Sequence, residues 1–152
     1  MGLFQTQESL PMSTEHNKHV TRRWWEELWN RWEFALVREI ATPDLAFRGS
    51  LGRNTTGVAE LHEYMRAVRE AFPDFHSHIE EMVAEGDHVA ARLTFTGTHR
   101  GELFGVAPTG RSIRYSAAAF FTLEDGKITS GWVLGDLQSL REQLAGVPVV
   151  TP

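Results

Sequence analysis

A chain of 152 residues with 15 basic and 20 acidic side chains has a formal net charge of −5, and at this size it can bury one full core without metals or disulfides. A hydrophobic content of 41%, with 9 Phe and 5 Trp, excludes a disordered polypeptide, and the acidic balance argues against nucleic acid, whose phosphates need Lys and Arg. With no Cys, disulfides, thiolate nucleophiles and Cys-ligated zinc are all removed, and no apolar run reaches the roughly 18 residues of a membrane span.

These limits predict one cytoplasmic domain over residues 17–146, between a flexible tail of residues 1–16 and a short one of residues 147–152. The start, Met1-Gly2-Leu3-Phe4-Gln5-Thr6, lacks the basic and apolar regions of a secretory signal. It fits the loose N-myristoylation pattern, as Asn54-Thr55-Thr56 fits a glycosylation sequon that reads more simply as a turn.

From His19 to Ile40 the pattern is helical. Val20, Trp24, Leu28 and Trp32 recur every four residues, with Trp25 and Trp29 alongside, so these large rings read as core or lid. Thr42-Pro43-Asp44 stops the helix. Leu45–Arg48 reads as a short strand and Gly49–Gly57 as loop. A second helix places Val58, Leu61, Tyr64, Met65, Val68 and Phe72 on one face and ends at Pro73. Strands then follow over Phe75–Ala84, Val89–Thr98, Ser112–Leu123 and Ile128–Leu134, with Asp125-Gly126 making a hairpin turn. Leu137–Leu144 closes the chain as a short helix. Helices first and long antiparallel strands afterwards predict an α+β fold, a curved sheet wrapped around N-terminal helices.

In the last strand Trp132, Leu134 and Asp136 are spaced by two and are expected to share the interior face. A carboxylate at the end of an apolar face is costly to ionise, so Asp136 becomes a candidate proton shuttle. Its other reading is the N-cap of the helix starting at Leu137, and one residue can do both. His99 stands on the apolar side of its strand's alternation, either as a strand-end histidine or as a group that steadies an anion. Arg48, among apolar neighbours, either faces solvent, pairs with a buried carboxylate or binds a substrate oxygen. His76 and His78 share a strand face but lack a third ligand, so no metal site is expected. No phosphate loop, dinucleotide fingerprint or serine-hydrolase elbow occurs.

Phe72-Pro73-Asp74-Phe75, Ala84-Glu85-Gly86-Asp87-His88-Val89, Gly97-Thr98-His99-Arg100-Gly101, Gly105 to Arg111, Asp125-Gly126-Lys127-Ile128, and Trp132 and Asp136 ahead of Leu140 and Gln143-Leu144 stand in an order and spacing that resembles the SnoaL-like polyketide cyclases. The similarity runs from about Asn17 to Gly146. It implies the cone-shaped α+β barrel of nuclear transport factor two and an intramolecular aldol condensation without metal or cofactor. On that resemblance Asp136 is the catalytic acid/base; face counting along the strands and helices then offers His99 or Arg48 to steady the oxyanion, and Trp132, Tyr64 and Phe47 to line an apolar pocket for a hydrophobic small molecule. A homodimer through the open sheet is also implied. The alternatives are a cofactor-independent hydroxylase, an epoxide hydrolase-like enzyme, for which Arg92 lacks an acidic partner two residues on, and a non-catalytic binding module.

Overall fold

The structure is a computed structural model that describes residues 13–148. The myristoylation-like start of the chain lies outside the described residues. Helix α1 (Thr14–Arg23) begins inside the expected tail, because the Ser13 side chain accepts from His16 N at 3.0 Å and caps it. Glu15 in its first turn and Arg22 and Arg23 in its last suit the helix dipole. The helix then widens into a π-helical stretch, Trp24–Trp29, that keeps Trp24, Trp25, Leu28 and Trp29 all buried.

The single helix expected to reach Ile40 breaks at Asn30. That side-chain amide clips onto the strand backbone at Ser77, donating to its carbonyl and accepting from its N–H, both at 2.8 Å. Trp32 follows with a φ of 58°, which no helix interior tolerates. A 3₁₀ turn (Phe34–Leu36) and a one-turn helix α2 (Val37–Ile40) complete the segment. Helix α3 (Gly57–Ala71) turns Leu61, Tyr64, Met65 and Val68 inward, as their spacing predicts, and α4 is Leu137–Leu144.

Six strands form one curved, unclosed mixed sheet: β1 (Ala41–Arg48), β2 (Asn54–Thr56), β3 (His76–Glu85), β4 (His88–Thr98), β5 (Ser112–Glu124) and β6 (Lys127–Gly135). Their order is β2-β1-β6-β5-β4-β3, antiparallel throughout except for the parallel β1–β6 pair. The expected Gly49–Gly57 loop therefore contains a strand, β2, that carries the sequon's Asn54. The α+β cone is as expected. Its hollow is filled by rings: Trp24 packs on Phe47 and Phe121 at 5.0 and 5.5 Å, Trp25 on Phe95 at 5.7 Å, and Trp29 on Tyr64 at 6.0 Å. Each such ring removes about 150–250 Å² from water, worth several kcal/mol at roughly 25 cal/mol per Å². The small inward Ala117 and Ala119 leave room for them.

The last strand departs from the expected facing, and a bulge is the reason. Leu123 pairs with Ile128 but Thr122 pairs with Ser130, so one extra residue on β6 is accommodated between them. An extra residue flips every later side chain to the other face. Ile128 points inward, and beyond the bulge the inward positions are Gly131 and Val133. Trp132, Leu134 and Asp136 lie on the outside, all exposed. No helix among the described residues is long and apolar enough to cross a membrane.

Candidate functional site

Helix α3 delivers Tyr64 and Val68, one turn apart, to the hollow side of β1. The chain leaving β1 meets them as Gly49-Ser50-Leu51. Gly49 sits directly against the Tyr64 ring: a Cβ there would fall 2.1 Å from the phenol oxygen, so the close approach depends on glycine. The Tyr64 oxygen accepts from Leu51 N at 3.3 Å, and Ser50 Oγ lies 2.9 Å from the Tyr115 hydroxyl. Three buried hydroxyls thus gather at one end of the cone. Burial pushes the Tyr64 phenol above its ordinary value, against the opposing pull of the Leu51 N–H, the Ser50 hydroxyl and the Arg48 and Arg53 charges. Burial pushes Tyr115 up as well, with Ser50 opposing it. Both remain proton donors at neutral pH.

Two spaces meet at this cluster. An inner cavity of about 10 Å³, close to the size that holds one water, is bordered by Trp25, Trp29, Phe47, Ser50, Tyr64 and Val68 among others. An outer cleft of about 480 Å³ shares Tyr64 and Val68 with it and adds Leu51, Arg53, Glu70, Glu102, Leu103 and Phe104. The cleft volume falls in the usual range for small-ligand sites. Its far wall is the β4–β5 loop, docked on the end of α3 by Arg100 N and Gly101 N donating to Ala71 O at 2.9 and 3.2 Å. Within the loop, Glu102 accepts from Gly105 N at 2.6 Å, and Phe104, at a φ of 53°, lies under the Arg141 guanidinium at 3.9 Å.

Of the residues singled out from the sequence, Tyr64 and Phe47 border the inner cavity. His99 is fully buried on the inward face, but it serves the loop. Its Nδ1 accepts from Thr109 N at 3.1 Å and lies 3.0 Å from Thr109 Oγ1. The proton is therefore on Nε2, a buried donor without a partner. Trp132 is 43% exposed on the outer face and borders neither of the two spaces. Arg48 is its neighbour there, donating Nη1 to Val133 O and lying 5.4 Å over the Trp132 ring, so it does not line the cavity.

Asp136 is likewise exposed and outside. Its carboxylate accepts from Ser139 N at 3.1 Å and caps α4, so the capping reading holds and the dry, interior position does not. The inward neighbour at that level is Gly135, where a Cβ would meet Tyr115 Cε2 at 3.0 Å and Ser50 O at 3.1 Å, leaving no room for a side chain. His76 and His78 are exposed, and no group of three metal-ligating side chains occurs among the described residues. Arg92 pairs with Glu81 at 2.9 Å on the outer surface, away from the hollow. Ser50, Tyr115, Glu70 and Glu102 were not singled out from the sequence. The one available signal was glycine inside a strand and beside a loop, at Gly49, Gly131 and Gly135, marking close backbone approach.

Residues 19–144 match the SnoaL-like polyketide cyclase family. Among solved structures, AclR of Streptomyces galilaeus, provisionally assigned as a hydroxylase, is 29% identical, with a TM-score of 0.75 over 91% of this chain and 87% of that one. A provisionally assigned polyketide cyclase from Acidithiobacillus ferrooxidans is 25% identical, with a TM-score of 0.76 over 90% of this chain and 100% of its own. A SnoaL-like protein from Jannaschia, 23% identical, shares the fold at a TM-score of 0.80 over 91% and 99%. No curated protein matches the sequence.

Proposed function

The chain belongs to the SnoaL-like polyketide cyclase family, and from that premise we propose that it closes a ring on a hydrophobic, carbonyl-rich compound held in the cleft under the β4–β5 loop. The observation that carries this reading is Tyr64, 3% exposed, protonated, braced on Gly49 and bordering both the cleft and the inner cavity. Its phenol donates to a ligand carbonyl and polarises it.

In an intramolecular aldol step a carboxylate removes a proton from the carbon between two carbonyls. The enolate carbon bonds to the polarised carbonyl carbon, and the resulting alkoxide takes the proton back. The carboxylates that border the cleft are Glu70 and Glu102, and they take the base role that Asp136, turned outward, is poorly sited for. The apolar wall of Leu51, Val68, Leu103 and Phe104 suits flat rings.

The test is turnover of an aromatic polyketide methyl ester. Tyr64→Phe keeps the ring's packing and is expected to lower the rate at least 100-fold, the usual scale for an oxyanion donor (~10²–10³). Glu70→Gln and Glu102→Gln identify the base, and Asp136→Asn retains the rate. A Tyr64→Phe protein as active as the parent overturns the proposal.

A second reading, a small-molecule-binding protein without turnover, is favoured by the lack of any Asp or Glu among the buried interior residues described. Binding of the ester with no product in any condition supports it. Under either reading, a second copy of the chain covers the outer face of β5 and β6. There Phe120, Leu134 and Trp132 are 55%, 50% and 43% exposed and contiguous across the strand pair. Sedimentation of Phe120→Asp as monomer against a dimeric parent tests this; a monomeric parent refutes it.

A further inference from the structure

The β4–β5 loop carries a tight hairpin of its own. Leu103 and Val106 exchange two backbone hydrogen bonds, at 3.1 and 2.8 Å, and Phe104 and Gly105 make the turn between them at φ values of 53° and 79°. A two-residue turn with both centres at positive φ is the type I′ arrangement, which favours Asn-Gly, Asp-Gly or Gly-Gly because larger side chains crowd the backbone there. Gly105 suits its place. Phe104 does not: a bulky residue at positive φ is an outlier, and it persists only where its surroundings hold it.

What holds it is α4. The Arg141 guanidinium lies 3.9 Å over the Phe104 ring. The helix that carries Arg141 is fixed to the start of β5. There the buried Gln143 side chain accepts from Arg114 N at 2.9 Å and donates to Arg114 O at 2.6 Å, and Arg111 Nη1 donates to Leu144 O at 2.9 Å. Phe104 borders the cleft and Arg141 does not, so the cation backs the ring on the side away from the cleft. Glu102, also on the cleft, accepts from Gly105 N at 2.6 Å and braces the same turn.

An aromatic ring stacked on another gains attraction beyond its buried area, and a saturated ring of the same outline does not. Phe104 is placed to make that distinction. Leu51, Val68 and Leu103 are aliphatic, and the Glu70 and Glu102 carboxylates can accept from hydroxyls on either kind of ring. Tyr64, the other aromatic on the cleft, keeps its ring packed against Trp29 and Phe47. We propose that Phe104 is the specificity-determining residue of the cleft, selecting flat aromatic ligands over saturated ones, and that Arg141 is a positioning residue that acts through it. The inference rests on the cleft being the ligand site and names the class of ligand it takes.

The probes are 2-acetonaphthone and 2-acetyldecalin, the same skeleton with both rings saturated. Neither bears a donor for the carboxylates, and both present the same carbonyl to Tyr64. Calorimetric titration gives the ratio of their affinities, naphthyl over decalin. Phe104→Asn removes the ring with a residue that accepts left-handed backbone, and it is expected to lower that ratio about fivefold, the worth of one aromatic pair. Arg141→Met is expected to lower the ratio at least twofold in the parent and not at all in the Phe104→Asn background, because it acts only through the ring. Thermal midpoints are recorded so that a folding defect is seen separately. Should Phe104→Asn fail to fold, Arg141→Met, on the exposed side of α4, carries the comparison. Tyr64→Phe is expected to weaken both ketones alike; binding of neither ketone, or binding that Tyr64→Phe leaves unchanged, overturns the cleft reading itself. A ratio within twofold of the parent's in folded Phe104→Asn overturns only the selectivity given to Phe104, and an unchanged ratio in Arg141→Met overturns the positioning role.

Discussion

The two faces of β6 differ by a single step along the chain and have opposite characters. Inward, Gly131, Val133 and Gly135 present almost no side chain, and the rings of Phe47, Phe121 and Tyr115 close over them. Outward, Trp132, Leu134 and Asp136 carry the strand's bulk and its charge into the open. The usual expectation, large apolar groups inside and small or polar ones out, is reversed. The volume inside is supplied from elsewhere, by the π-helical tryptophans, so the strand must be thin where they press on it. A large residue on a strand is thus no guide to its inner face when another element already fills the core.

Neighbouring substitutions test how complete this division is. The largest effect is expected at β5: Phe121→Ala should cost about 3–5 kcal/mol, whereas Phe120→Ala, one residue away and exposed, should stay within about 0.5 kcal/mol for the monomer. Urea denaturation at low protein concentration measures both, and equal losses would erase the distinction. On β6, Gly131→Ala would bring a Cβ to 2.9 Å from Phe47 and 3.0 Å from Phe121. It is expected to cost about 1–3 kcal/mol, more than Trp132→Ala, read from the same curves.

Asp136 comes next. Asp136→Ala should lose about 0.5–2 kcal/mol through the missing cap, and Asp136→Asn close to nothing, because Asn caps equally well. The smallest effect belongs to Asp74 on the outside. Slight burial raises its pKa, but the hydroxyl and N–H of Thr98, both at 2.7 Å, outweigh that and hold it below the ordinary carboxylate value. A lowered folded pKa stabilises above the unfolded one and is lost as pH falls through the folded value. The parent should therefore lose slightly more stability than Asp74→Asn between about pH 4 and pH 2, as urea midpoints across that range would record.

Much of the architecture was legible from pattern alone, because it rests on local rules. The spacing of Leu61, Tyr64, Met65 and Val68 placed α3, and Asp125-Gly126 placed the β5–β6 turn. The break at Asn30 was not legible, since it depends on a side chain reaching β3, far away in sequence. The site was less legible still. Its key contacts join Gly49, Tyr64 and Tyr115, which only the fold brings together. The reversal of Asp136 came from one bulged residue that alternation counting cannot register. His99, on the apolar side of its strand's alternation, is buried, and its ring holds Thr109 in place.

The parallel pairing of β1 with β6 also has a consequence for synthesis. Phe47 finds its ladder partner at Gly131, on a strand that follows every other strand of the sheet. On the ribosome, β1 and β2 are made as a hairpin whose β1 edge stays unpaired until β6 has emerged. The cone can close only after β6 is out, which makes this edge the one that a chaperone would hold longest.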